Sequence, residues 1–202
     1  MKGMIKDALI LFAITLIAGL MLGVVNDITK EPIAQQEQKA KNEACQNVFA
    51  AADSFEAQEL ADSQIEQVLT DAGISGADID ELMAAKDASG ALLGYVITVT
   101  DHEGYGGDIQ FSMGITNEGT LNGISLLSIS ETAGLGMRAG EVLVPQFADK
   151  NVSKFTYTKT GATADSEIDA ISGATITTNA VVNGVNAGLA YFDKILKGGS
   201  AQ

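Results

Sequence analysis

One cysteine, Cys45, and one histidine, His102, are all that 202 residues provide of either type. A lone thiol excludes an intrachain disulfide, a cysteine zinc site and an iron–sulfur cluster built by this chain. One imidazole without a cysteine cluster leaves a transition metal no ligand set, and it leaves a Ser–His–Asp triad a single candidate base. That base stands in Asp101-His102-Glu103-Gly104, which reads as an exposed turn without companion ligands. Cys45 falls in a helical-looking stretch, where a small buried or half-buried residue is expected. Basic residues are scarce too: 12 Lys and Arg stand against 26 Asp and Glu. Setting aside Lys2, Lys6 and Asp7 leaves ten basic and twenty-five acidic residues over 26–202, a net of −15. Such a surface disfavours nucleic acid and anionic headgroups as partners. The chain also lacks a G-x-G-x-x-G dinucleotide fingerprint, an evident acid–base pair, internal repeats and low-complexity linkers.

Apolar length, by contrast, is concentrated at one end. Ala8 to Val25 carries no charge. At 1.5 Å per residue the run reaches about 27 Å, enough to cross a hydrocarbon core. A cleaved signal peptide has a shorter apolar region, and Gly23-Val-Val-Asn-Asp27 offers no A-x-A pattern. No cysteine follows closely enough for a lipoprotein, so a retained transmembrane helix over 8–25 is expected, after a short N-terminus at 1–7. Lys2 and Lys6 precede the span while Lys30, Lys39 and Lys41 follow it, so charge alone leaves the orientation open.

Beyond the span, Pro32 is placed to open a new helix over 32–52, since proline is tolerated in a first turn. Residues 63–72 form a second helical piece stopped by Gly73, and 73–80 reads as loop, giving a helical connection over 26–79. The pattern then changes. Extended runs at 81–86 and 91–100 flank the Asp87-Ala-Ser-Gly90 turn, with Gly94 to Thr100 β-branched and aromatic. Asp108 to Thr116 alternates with period two, turning Ile109, Phe111, Met113 and Ile115 inward; Asn117-Glu-Gly119 turns the chain into 121–129. This predicts one soluble domain built on an antiparallel sheet, not βαβ crossovers. Val181, Val185, Leu189, Phe192 and Leu196 then recur at helical spacing, with Gly198 as a C′ glycine.

Chemistry is signalled where that last helix begins. Asp169-Ala-Ile-Ser-Gly-Ala-Thr175 places hydroxyls in a turn of small residues, Ser172, Gly173 and Ala174, with Thr177 and Thr178 just beyond. Small residues let a phosphate approach the backbone, and a helix N-terminus offers it unpaired N–H donors. The string resembles the flavinylation motif D-x-x-[S/T]-G-A-T found in two FMN-binding families, the G subunits of Rnf complexes and the C subunits of sodium-translocating NADH:quinone reductases. Ser130-Glu-Thr-Ala-Gly-Leu-Gly136 resembles their E-T-P-G-L-G loop, with Ala133 where proline is usual. Gly104-Tyr-Gly-Gly107 resembles their G-Y-G-G segment.

The resemblance implies an α+β fold: an N-terminal transmembrane helix, then one FMN-binding domain over 80–197 with a mainly antiparallel sheet flanked by helices, and a tail at 198–202. It implies FMN joined to Thr175 by a phosphoester, with Ser172, Gly173, Ala174 and Thr177 around it. Glu131, Thr132, Gly134, Leu135 and Gly136, and Tyr105, Gly106 and Gly107, would supply further contacts. It also implies an electron-transfer subunit of an ion-translocating ferredoxin:NAD oxidoreductase, with a domain outside the cytoplasmic membrane. Other membrane and redox subunits and a maturing flavin transferase would be its partners. The short chain favours the Rnf family over the generally longer quinone-reductase one. The rival reading is a membrane-tethered binding module without redox chemistry, in which Ser172–Thr175 is an ordinary helix cap.

Overall fold

The structure, a computed structural model, describes residues 2–197, so the expected Gly198 cap and the 198–202 tail lie outside the described residues. The chain divides into two compact units, Met1–Ala40 and Lys41–Gln202. Helix α1, Lys2–Val48, supplies the first unit and begins the second. Its early stretch is long and apolar enough to cross a membrane, and side chains such as Leu11, Leu16 and Leu20 are exposed along it. Pro32 lies inside this helix and does not start a new one. Its missing N–H forgoes one rung, which the helix-forming Glu, Ala, Gln and Lys residues around it absorb.

The second unit is a five-stranded antiparallel meander: β1 (Ser54–Gln58), β2 (Ala77–Lys86), β3 (Leu92–Asp101), β4 (Ile109–Thr116) and β5 (Leu121–Ile129), neighbours in that order. Helix α2, Asp62–Asp71, joins β1 to β2. Two expectations are corrected here. The helical connection over 26–79 contains strand β1, and the presumed loop at 73–80 already holds the start of β2. The alternation of Ala77 and Ile79, buried, with Asp78 and Asp80, exposed, is strand patterning that the acidic residues obscure.

Alternation in β3 and β4 divides the core. Ile97 and Val99 pair with Met113 and Phe111 on one face. All four are fully buried, as are Ile109 and Ile115. Over them lies helix α4, Thr175–Tyr191, prolonged by a π-helical turn at Phe192–Leu196. Val96 and Ala85 face the other way, into a smaller core with Cys45 and Val48 from the end of α1, then Phe49 and Ala52. Asn122 Nδ2 donates to the Val48 carbonyl at 3.0 Å, giving a helix-end acceptor its partner. Burying each such large apolar side chain stabilises the fold by roughly 1.5–3 kcal/mol.

Between β5 and α4 the chain forms short elements: α3 (Ala139–Val142) and strands β6 (Thr156–Thr158) and β7 (Glu167–Asp169), a parallel pair absent from the sequence-based expectation. Asn186 of α4 holds this region as a strand neighbour would. Its Oδ1 accepts from the Phe155 N–H at 2.7 Å, and its Nδ2 donates to the Phe155 carbonyl at 2.9 Å. The pair leaves β7 ending at Asp169, where the flavinylation-like motif begins.

Candidate functional site

Three segments distant in sequence meet at the start of α4. The 130–136 loop leaves the end of β5 and closes on one carbonyl: the Leu135 and Met137 N–H groups both donate to Thr132 O, at 3.1 and 3.2 Å. Alanine at 133 in place of proline leaves this turn intact. Glu131 turns toward the Gly104–Gly107 segment, where its Oε1 accepts the Gly106 N–H at 3.2 Å. Gly136 then passes so near α4 that an added Cβ would lie 2.5 Å from Thr177 Oγ1 and 2.7 Å from Glu131 Oε2. Only a residue without a side chain fits there.

These contacts enclose a cleft of about 480 Å³ lined by Tyr105, Glu131, Thr132, Leu135, Gly136 and the segment Gly173–Thr177 that leads into α4. Its size suits one small ligand. The sequence-predicted residues Tyr105, Glu131, Thr132, Leu135, Gly136, Gly173, Ala174, Thr175 and Thr177 stand on its wall. Ser172, Gly134, Gly106 and Gly107 do not; Gly106 serves through its bond to Glu131, and Ser172 is exposed on the turn. The sequence reading missed Ile176, 51 % exposed on the same wall. Its signal was an apolar residue outside the 181–185–189 stripe. Tyr105, 69 % exposed, and Leu135, 41 %, complete an apolar rim next to polar donors.

The turn itself is built from its own backbone. Asp169 ends β7, the Ala174 N–H donates to Ile171 O at 3.0 Å, and Gly173 takes φ +79°, a left-handed conformation suited to glycine. Helix α4 therefore starts at Thr175, with Ala174 at the N-cap and no side-chain cap. Its first N–H groups have no intrahelical acceptor, and the positive end of the helix dipole opens onto the cleft. An uncapped helix start, a small-residue turn and a flat apolar rim fit an anionic phosphate joined to an aromatic ring.

The three hydroxyls at this helix start differ sharply. Thr178 is fully buried, its Oγ1 accepting from the Ile171 N–H at 3.1 Å and donating to the Ala174 carbonyl at 2.9 Å. Thr177 is 1 % exposed beneath Gly136. Thr175 is half-buried on the cleft wall. The sequence placed all three within a few residues; burial separates them.

His102 lies outside the cleft wall; it and Glu103 are exposed as expected, but Asp101 of the same segment ends β3 and is buried, and His102 has partners the sequence did not reveal. Nδ1 is 2.9 Å from Asp108 Oδ1 and Nε2 is 3.0 Å from Asp78 Oδ2. Hydrogen bonds to these carboxylates, Asp108 first, raise its pKa to about 9. Next to it Asp101 is fully buried, and burial raises its pKa although Asn183 Nδ2 donates to it at 2.8 Å. Burial, with Glu81 adding repulsion, pushes the Cys45 thiol up to about 11.

Known proteins place this architecture. Residues 104–190 match the family model of the FMN-binding domain, and residues 1–48 match that of the RnfG N-terminal region. The chain is 31 % identical over 199 residues to the G subunit of the Na(+)-translocating ferredoxin:NAD(+) oxidoreductase complex of Acetobacterium woodii, covering 97 % of this chain and 95 % of that one. The G subunit of the Proton-translocating ferredoxin:NAD(+) oxidoreductase complex of Clostridium ljungdahlii is 29 % identical over 193 residues, covering 89 % and 90 %. Among solved structures, Shewanella oneidensis NqrC matches with a TM-score of 0.50 at 18 % identity over 60 % of this chain and 61 % of that one, a likeness of fold. Full-length relatives carry the G-subunit name, and the amino-terminal region and flavin domain match in the same order, so this chain belongs to the RnfG family of ion-translocating oxidoreductase (Rnf) complexes.

Proposed function

We propose that this chain is the membrane-anchored flavin subunit of an ion-translocating ferredoxin:NAD oxidoreductase, with FMN held on Thr175 by a phosphoester. The carrying observation is the convergence of three separate segments on one cleft, where Thr175 is half-buried on the wall while Thr177 and Thr178 are buried. The uncapped amides of α4 would receive the phosphate, with Gly173 and Ala174 leaving it room. Tyr105, Leu135 and Ile176 would pack on the ring, and Glu131 and Thr132 would meet its polar edge. Bound flavin supplies reversible electron uptake and release, while this protein sets its position and surroundings.

Attachment needs an activated donor, a pyrophosphate ester of FMN. The transfer would exchange the Thr175 Oγ–H bond and one P–O bond of the pyrophosphate for an Oγ–P bond, the proton passing to the departing phosphate monoester, with no change of oxidation state. The cleft wall carries neither histidine nor lysine, and its one carboxylate, Glu131, is engaged with the Gly106 N–H, which accords with a separate flavin transferase acting as the catalyst. Helix α1 would anchor the subunit among its membrane partners, with the flavin domain on the extracytoplasmic side. There a covalent tether keeps the cofactor from being lost.

Denaturing electrophoresis of the full chain, made in a host with an active flavin transferase, tests the reading. A fluorescent flavin band at the size of the chain is expected. A colourless protein would favour the tethered binding module.

A further inference from the structure

The turn that presents Thr175 is gripped at both ends by side chains outside the D-x-x-S-G-A-T string. At its start, Gln146 pairs with Asp169 as a neighbouring strand would. Its Oε1 accepts the Asp169 N–H at 2.7 Å, and its Nε2 donates to the Asp169 carbonyl at 3.1 Å. Gln146 is itself held, because Nε2 also donates to the Val142 carbonyl at 2.6 Å. The Asp169 carboxylate accepts the Ala162 N–H at 2.7 Å. At the other end, the buried Thr178 hydroxyl joins the Ile171 N–H to the Ala174 carbonyl. With the Ala174 N–H bonded to Ile171 O, the backbone on either side of Ser172 and Gly173 is closed into a ring of hydrogen bonds.

We infer that Gln146 and Thr178 are positioning residues for flavin attachment, fixing the 169–178 turn before the cofactor arrives so that Thr175 Oγ is offered in one orientation. The inference rests on the proposed attachment at Thr175. Neither residue takes part in the bond exchange. Ordering the acceptor in advance raises the rate, because the turn's freedom is not lost during transfer. The hydroxyl of Thr178 is unsuited to flavin itself, since it is fully buried and engaged as donor and as acceptor. A threonine inside the motif region thus acts as scaffold, and a glutamine more than twenty residues upstream belongs to the same device.

The test is the initial rate of flavin incorporation into the full chain in detergent, using a flavin transferase and the pyrophosphate ester of FMN, read as in-gel fluorescence. Near-UV circular dichroism and thermal melting report the fold of each variant. Thr178→Val removes the hydroxyl but keeps the shape, leaving the Ile171 N–H unpaired; incorporation should slow by roughly tenfold or more. Thr178→Ser restores the hydroxyl and should recover most of the rate. Gln146→Ala changes a half-buried side chain, so its fold should persist, and its rate should also fall. Wild-type rates in folded Thr178→Val and Gln146→Ala would overturn the inference, as would a serine variant no faster than valine. Should Thr178→Val fail to fold, Gln146→Ala alone decides, by the same two outcomes. Wild-type chain that takes up no flavin would instead defeat the attachment at Thr175 itself.

Discussion

At the scale of single residues, environment sets what a group does, both at the cleft and away from it. His102 lies between two carboxylates, and its pKa stands above the ordinary value, at about 9. The sign follows from that. Its bridge contributes fully below about pH 6.5, the unfolded value, and the contribution is lost as pH rises through about 9. Because the ring is 43 % exposed, solvent screening limits the effect to about 0.2–1 kcal/mol. The melting temperature should therefore fall between about pH 6.5 and 9.5, and His102→Ala should remove part of that fall while flavin attachment persists. A histidine titration by NMR with a pKa near the ordinary value of about 6.5 would contradict the bridge. Gly136 makes a sharper case. A Cβ there has no room between Thr177 and Glu131, so Gly136→Ala should cost about 1–3 kcal/mol by overpacking. It should also lever the 130–136 loop off α4, and chemical denaturation alongside in-gel flavin fluorescence would register both.

Among the elements, α4 carries most. It presents the acceptor turn at its start and covers the sheet along its length, with Gly184 set against the Phe111 ring. An added Cβ at 184 would lie 2.9 Å from Phe111 Cζ. Gly184→Leu should accordingly destabilise the domain by roughly 1–3 kcal/mol despite leucine's better helix propensity, measured as a lower urea midpoint. The existence of this helix and of the β4 hairpin was legible because each shows a clear apolar period, but α4 is buried on nearly every face and carries no single amphipathic stripe. Strand β1 was not. Ser54-Phe-Glu-Ala-Gln58 has one large apolar residue, and as an edge strand it is mostly exposed, so its pairing with β2 comes from tertiary context. The parallel pair β6–β7 escaped for a related reason, since three residues are too few to show a period. At the site, the glycine-rich motifs announced themselves. Their convergence, the grip of Gln146 on Asp169 and the pairing of His102 with Asp78 depend on contacts between distant parts of the sequence, while the role of Thr178 is local and follows from burial that its polar side chain does not announce.

For the whole molecule, the boundary that matters lies within α1. The unit beginning at Lys41 includes the turns of that helix that fill the smaller core, and so starts well before residue 80. Residues 41–202 should therefore fold as a soluble domain with a cooperative transition. Residues 53–202 should not: without Cys45, Val48, Phe49 and Ala52, the Ala85 and Val96 face of the sheet is uncovered. Dye binding to exposed apolar surface and a broadened melt are expected of the shorter chain. Equal stability of the two would mean that the α1 end contributes little to the core.

The most direct measurement is peptide mass mapping of the full chain matured in a host with an active flavin transferase. The account predicts an FMN-sized addition on the peptide spanning Asp169 to Thr178, fragmenting to Thr175, and its disappearance in a folded Thr175→Ala variant. An adduct on Thr177 or elsewhere, one that survives Thr175→Ala, or no adduct on any peptide would contradict it.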